Sequence, residues 1–115
     1  MREKAAGRRL VLLVLGVLQG APLHGYGIVR RIADDSQGVL APAEGLLYPL
    51  LHDLEGAGLI ASTWETHAGR RRKVYTLTPD GARRYQEEFR LWQAETQAVA
   101  GVLRVKEGET RLALG

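Results

Sequence analysis

The 115-residue sequence predicts a mainly α-helical fold carrying one small β-hairpin. Three observations lead there. Apolar residues recur at helical spacing in three stretches before residue 60 and in one after residue 79. Two short runs rich in Thr, Trp, Val and Tyr, Leu59–Thr66 and Arg72–Thr78, lie between them and alternate as a half-buried hairpin requires. The third helical stretch enters the first of these runs without a linker. That order, with one more helix behind it, is a winged helix-turn-helix followed by a C-terminal helix.

The composition sets limits on this reading. At 45% hydrophobic, a chain of this length buries one small core, and small cores often gain stability by oligomerising. A net charge of +3 and a pI near 9.6 permit a polyanionic partner without requiring one. With no cysteine, disulfide scaffolds and thiolate metal sites are excluded. The apolar run Leu10–Leu18 behind Arg8 and Arg9 superficially resembles a signal peptide. It contains Gly16, is too short to span a bilayer and leads into His24-Gly25-Tyr26 with no small-residue cleavage pattern. A buried helix, a cytoplasmic protein and no membrane association are expected.

In chain order, Met1–Gly7 is charged and expected to fray, and the first helix to run from Arg8 to Gln19. That helix is apolar nearly all round, so it needs cover on more than one side. Leu12 and Leu15 are expected to meet a partner subunit. Gly20-Ala21-Pro22 breaks the helix, and a second is expected from Leu23 or His24 to about Ser36, with Ile28, Val29 and Ile32 inward and Arg30 and Arg31 outward. Gly25 and Gly27 lower helix propensity there, which suggests close packing against a neighbour. Val39-Leu40 reads as a short strand before Pro42. The third helix buries Leu47, Leu50, Leu51 and Leu54 at i, i+3, i+4 and i+7, leaves Gly45, Tyr48, Pro49, His52 and Asp53 outside, and ends at Gly58 in a left-handed turn. Pro49 interrupts its hydrogen bonding, and the residue four back, Gly45, gives the backbone room to bend.

The hairpin is expected to turn over His67–Arg71, with Arg70, Arg71, Arg72 and Lys73 crowded at its tip. Four consecutive cations repel one another unless they meet an anion, and Arg forks suit phosphate. Thr78-Pro79-Asp80 then starts the last helix with a cap, a first-turn proline and a favourable acid. Along it Tyr85, Phe89, Trp92, Thr96, Val99 and Leu103 alternate by four and three, the seam of a coiled-coil-like homodimer. Trp92 at the centre serves as interface core, with a platform for a small flat aromatic effector as the alternative. The expected division is a winged domain over 1–78, a dimerisation helix over 79–107 and a disordered tail over 108–115.

These residues resemble the PadR-like transcriptional regulators over roughly Leu12–Glu87. The matching stretches are Leu23-His24-Gly25-Tyr26, Gly45 with Leu47-Tyr48-Pro49 and Leu51-His52, Leu54-Glu55 with Gly58-Leu59-Ile60, and the arginine-rich wing with Tyr75-Thr76-Leu77-Thr78-Pro79 and Gly81. The resemblance implies a homodimer of winged helices with a single C-terminal dimerisation helix, repressing transcription from a palindromic operator in double-stranded DNA. It implies DNA contacts from Tyr26, Arg30, Arg31, Gly45, Leu46, Tyr48, Pro49, His52, Arg70, Arg71, Arg72 and Lys73.

The third helix departs from the family pattern. Leu46 stands where a small hydroxyl residue is common, Asp53 where Arg often follows the histidine, and Ala43 at a Ser-like position. The helix holds no Lys or Arg, and its charges are Glu44, Asp53 and Glu55. The electrostatic load shifts to Arg70–Lys73, with Arg30, Arg31, Arg8 and Arg9 as secondary candidates. His24, His52 and His67 lie at no metal-ligand spacing, and no nucleophile or phosphate-loop motif is present, so neither catalysis nor a metal or other cofactor is expected. The competing reading is a winged-helix module that binds protein or senses a small molecule and holds DNA weakly.

Overall fold

A computed structural model describes residues 2–104. Its elements are α1 (Arg2–Leu18), β1 (Leu23–His24), α2 (Gly25–Asp35), α3 (Glu44–Gly56), β2 (Ile60–His67), β3 (Arg70–Leu77) and α4 (Pro79–Leu103). Four helices and a three-stranded antiparallel sheet of order β1-β3-β2 make the expected winged helix-turn-helix with its following helix. The expected tail over 108–115, and the stretch 105–107, lie outside the described residues.

Helix α1 begins at Arg2, so the expected frayed start is helical backbone instead. Val14, Leu15 and Leu18 are buried, and Leu10, Val11, Leu13 and Val17 pack around them. Leu15 is fully buried within its own subunit, which corrects its expected place at a subunit interface. An all-apolar helix does not reveal from sequence which of its sides faces home. Leu12 is half-buried and stands outside the core cluster.

Leu23 and His24 were expected to open α2 but form β1, pairing with Tyr75 and Val74 of β3. Helix α2 then buries Ile28 and Ile32 with Val29 half-covered. Its end is closed by Gln37 and Gly38, both at positive φ, and by the Gly38 N–H donating to the Ala33 carbonyl at 2.7 Å. The Ser36 hydroxyl caps the loop, accepting from the Leu40 amide at 2.9 Å and reaching the Leu40 carbonyl. Val39 and Leu40 therefore belong to a hydrogen-bonded loop, not the expected strand.

Helix α3 seats Leu47, Leu51 and Leu54 in the core with Ile60 and Tyr75 of the sheet. Pro49 is its sixth residue and lacks the N–H that the Gly45 carbonyl would accept. At the far end Gly58 (φ +76°) donates to the Glu55 carbonyl and Leu59 to the Leu54 carbonyl, each at 3.0 Å. This pair of bonds is a Schellman closure, which needs a left-handed residue and receives a glycine.

The hairpin turns at Ala68 and Gly69 alone, both at positive φ, a two-residue turn matching strand twist. The expected five-residue connection is corrected by this: Arg70 and Arg71 are strand residues paired with His67 and Thr66. By internal contacts the chain divides into a unit ending at Tyr85 and a second starting at Gln86. The first two turns of α4 belong to the winged unit because Gly81 lies against the Leu59 carbonyl and Tyr85 against Gly16. Thr78 caps α4 as expected, its hydroxyl accepting from the Gly81 amide at 3.0 Å while donating to the Gly58 carbonyl at 2.7 Å.

A methyl group at Gly81 would overlap the Leu59 carbonyl oxygen, a backbone atom that cannot swing aside. Gly81→Ala is expected to lower stability by roughly 1–3 kcal/mol. Gly56→Ala, where a side chain would meet open space, should leave it unchanged or raise it by up to about 1 kcal/mol. Thermal unfolding followed by circular dichroism compares the two, and equal melting temperatures would contradict the packing described.

Candidate nucleic-acid interface

With Leu47, Leu51 and Leu54 turned inward, the outer face of α3 holds Gly45, Leu46, Tyr48, Pro49, His52 and Asp53, all exposed. Leu46 is 66% and Tyr48 43% exposed. The structure thus gathers five of the expected contact residues on one surface. Tyr48 is held in place by α2. A Cβ built at Gly25 would stand 2.6 Å from Tyr48 Cε1 and 2.9 Å from its hydroxyl, so the bare glycine admits the ring. Tyr26 follows directly, 51% exposed, with the Arg30 guanidinium 5.9 Å from its ring centroid. At the second glycine of this segment, Gly27, an added Cβ would stand 3.2 Å from the His24 ring. Burial, and then the Arg72 guanidinium, hold the His24 imidazole below its usual range.

Of the three acids on α3, Glu55 faces the sheet. It accepts from the Ser62 hydroxyl at 2.5 Å and lies 3.8 Å from Lys73 Nζ. Burial first, then Glu55 and Tyr48, push the Tyr75 phenol up, in keeping with a sheet packed closely on the helix. Glu44 and Asp53 remain exposed on the helix.

The four wing cations do not form one tip cluster. Strand alternation sends Arg71 and Lys73 to one face and Arg70 and Arg72 to the other. On the first face the ladder reads Ile60, Ser62, Trp64, Thr66 opposite Leu77, Tyr75, Lys73, Arg71. Its base is core, and its distal half is a 58% exposed Trp64 with Arg71 and Lys73 at 5.0 and 5.7 Å from the ring centroid. On the second face Arg72 pairs with Glu65 at 2.8 Å, and Arg70 makes no ion pair among the described residues. Arg30 and Arg31 each face an acid one turn on, Asp34 at 4.0 Å and Asp35 at 2.7 Å. Trp64 is the contact candidate that sequence reasoning missed. Only the register, with Trp64 opposite Lys73, reveals the stack.

The expected seam residues fall in both units. Tyr85 packs on the core of its own winged unit beside Gly16 and is half-buried there. In the second unit Phe89, Trp92 and Thr96 are half-covered, with the Phe89 and Trp92 rings 5.8 Å apart, and Val99 and Leu103 are 51% and 68% exposed.

The family model described as "Transcriptional regulator PadR-like family" matches residues 14–87, which is most of the winged unit. The chain belongs to the PadR-like family of transcriptional regulators. It is 33% identical over 79 residues to transcriptional regulator Rv3488 of Mycobacterium tuberculosis, covering 69% of this chain and 71% of that one. Among solved structures it is similar to a PadR family transcriptional regulator from Eggerthella lenta, at 35% identity and a TM-score of 0.74 over 86% of this chain and 87% of that one. It is also similar to Bacillus subtilis PadR in complex with operator DNA, at 25% identity and a TM-score of 0.63 over 68% and 45% of the two chains. Among the described residues of this PadR-like chain, no helix is long and apolar enough to cross a membrane.

The seating of Tyr48 can be tested by a double-mutant cycle. Gly25→Ala alone should destabilise the fold, and in a Tyr48→Ala background, where the added methyl has room, that loss should vanish. A coupling of at least about 0.5 kcal/mol by denaturant unfolding is expected for groups in contact. Strict additivity would show that the ring does not depend on the glycine.

Proposed function

We propose that this PadR-like regulator is a transcriptional repressor that binds a palindromic operator in double-stranded DNA as a homodimer in the cytoplasm. The observation that carries the reading is the outer face of α3. Five residues expected to contact DNA stand exposed on a helix fixed by three buried leucines, beside a hairpin rich in cations. The similarity to a PadR solved with operator DNA supports it. Arg70, Arg71, Arg72 and Lys73 supply phosphate contacts, with Trp64 on the sugar-phosphate backbone beside them; Arg30 and Arg31, with Arg8 and Arg9, stand as secondary contacts. The residues from Pro79 on form the dimerisation element, with Phe89, Trp92, Thr96, Val99 and Leu103 as its seam, and Leu12 of α1 is a further residue assigned to the interface. Regulators of this family are not enzymes, and no catalytic role is assigned to any residue.

A second reading has its own support. Leu46, Tyr26 and Tyr48 expose carbon, Glu44 and Asp53 are acidic, and most wing and α2 cations already face intramolecular partners. Such a surface suits a protein-binding or small-molecule-sensing module with weak DNA affinity, and Trp92 would be the platform for a small aromatic effector.

Titration against random duplex in rising salt separates the two. Several phosphate contacts per dimer predict a log–log slope steeper than about −3, and alanines at Arg70, Arg71 and Arg72 should weaken all sequences about equally and flatten that slope. A flat salt response in the parent protein favours the second reading, and a triple variant as tight as the parent removes the wing from the interface.

Trp92→Ala is expected to loosen the dimer by at least tenfold, in keeping with the roughly 3–5 kcal/mol that truncating a buried Trp costs. Sedimentation equilibrium measures it. An unchanged dissociation constant would return Trp92 to the ligand-platform reading.

A further inference from the structure

The first half of α3 is unusual for a helix proposed to enter a DNA groove, because what it offers is carbon. Positions 45, 46, 48 and 49 expose glycine, leucine, tyrosine and proline. No Lys or Arg occurs anywhere in Glu44–Gly56, so the bidentate guanine contact that such helices commonly make is unavailable. Leu46 is the outlier within this surface. It is 66% exposed and absent from the core and its packed rim, while its neighbour Leu47 is fully buried. Among the described residues, the core packing leaves its side chain out.

Gly45 adds a second, independent observation. A Cβ there would meet nothing within 4 Å, so the packing of the free protein does not call for a glycine. Gly45 is the second residue of α3, glycine is a poorer helix former than alanine, and one reason to keep it is the close approach of something external. The bare backbone at Gly45 lets a neighbour come near the helix, and Leu46 next to it is the side chain such a neighbour would touch.

Major-groove edges carry donors and acceptors at every base pair, and one apolar group, the C5-methyl of thymine. We infer that Leu46 is a specificity-determining residue that reads the thymine methyl, making this protein select A·T pairs at the position facing the first turn of α3. This inference rests on the DNA-binding reading and deepens it.

The test begins with in vitro selection of bound sequences from a random duplex pool, using the full chain at low salt. Deoxyuridine is then substituted for thymidine one position at a time in the selected site. At one thymine per half-site, removal of the methyl should weaken binding by roughly fourfold, the effect of withholding one methyl group from an apolar contact. Leu46→Ala, a substitution at an exposed helical position that leaves the core untouched, should weaken binding to the parent site and abolish the difference between thymine and uracil there. Unchanged thermal unfolding of Leu46→Ala confirms that the effect is on recognition. If a site is selected but uracil is tolerated everywhere, or Leu46→Ala keeps the full uracil penalty, the inference falls while DNA binding stands. If no sequence is selected and no duplex is bound, the DNA reading itself falls and takes the inference with it.

Discussion

The fold depends on a small junction of backbone groups where three elements meet. Leu59 receives the end of α3 through its amide and the start of α4 through its carbonyl, which accepts from the Thr78 amide at 3.2 Å. The Thr78 hydroxyl bridges the same point, donating to the Gly58 carbonyl and accepting from the Gly81 amide. Two glycines are required. Gly58 supplies the left-handed turn, and Gly81 supplies the absence of a side chain against the Leu59 carbonyl. Because α3 passes into β2 with only Ala57, Gly58 and Leu59 between, the closure sets the hairpin's direction relative to the helix. The candidate interface is therefore fixed by main-chain bonds remote from it.

The wing's charges gain meaning from the sheet register. A tip cluster of four like charges would be held apart only by solvent. Alternation instead gives each cation its own surroundings: Trp64 for Arg71, Trp64 and Glu55 for Lys73, Glu65 for Arg72, and open solvent for Arg70. These partners are weak competitors for a phosphate. An exposed ion pair contributes about 0.2–1 kcal/mol, and an exposed cation–π contact about 0.5–1 kcal/mol. Exchanging either for a charge-assisted bond to phosphate costs little. The pairs order the long side chains beforehand, which reduces the rotamer entropy lost on contact.

Much of this was legible in the sequence. The Thr78-Pro79-Asp80 cap, Gly58 and the leucines of α3 are each dictated by the chemistry of a single position, and each stands where periodicity and capping rules place it. The misses share a cause: they depend on what lies opposite. A two-residue strand such as Leu23–His24 has no periodicity and exists because β3 has an edge to pair. Ala68-Gly69 lacks the asparagine or aspartate that announces a two-residue turn, so from sequence the charge run beside it reads as loop. The Trp64 stack joins residues seven and nine apart in sequence, through register, and the seat of Tyr48 over Gly25 joins residues twenty-three apart, through helix packing. From sequence Leu15 reads as an interface residue because an apolar residue in a helix declares that it will be covered, not by whom.

The same reasoning bears on α4. At 25 residues and 1.5 Å per residue it is about 37 Å long, and its amphipathic pattern has a period of 3.5. A helix derives most of its stability from burying an apolar face. Here Val99, Val102 and Leu103 are 51%, 81% and 68% exposed, and Leu91 is 45% exposed. Single exposed apolar residues are ordinary, but three within five positions at the end of a regular seam form a patch. A second copy of the chain offers the same seam with the same period, so the two can interdigitate knob into hole along their length without any further partner. The homodimer proposed above, paired through α4, would cover carbon that a single chain leaves in water.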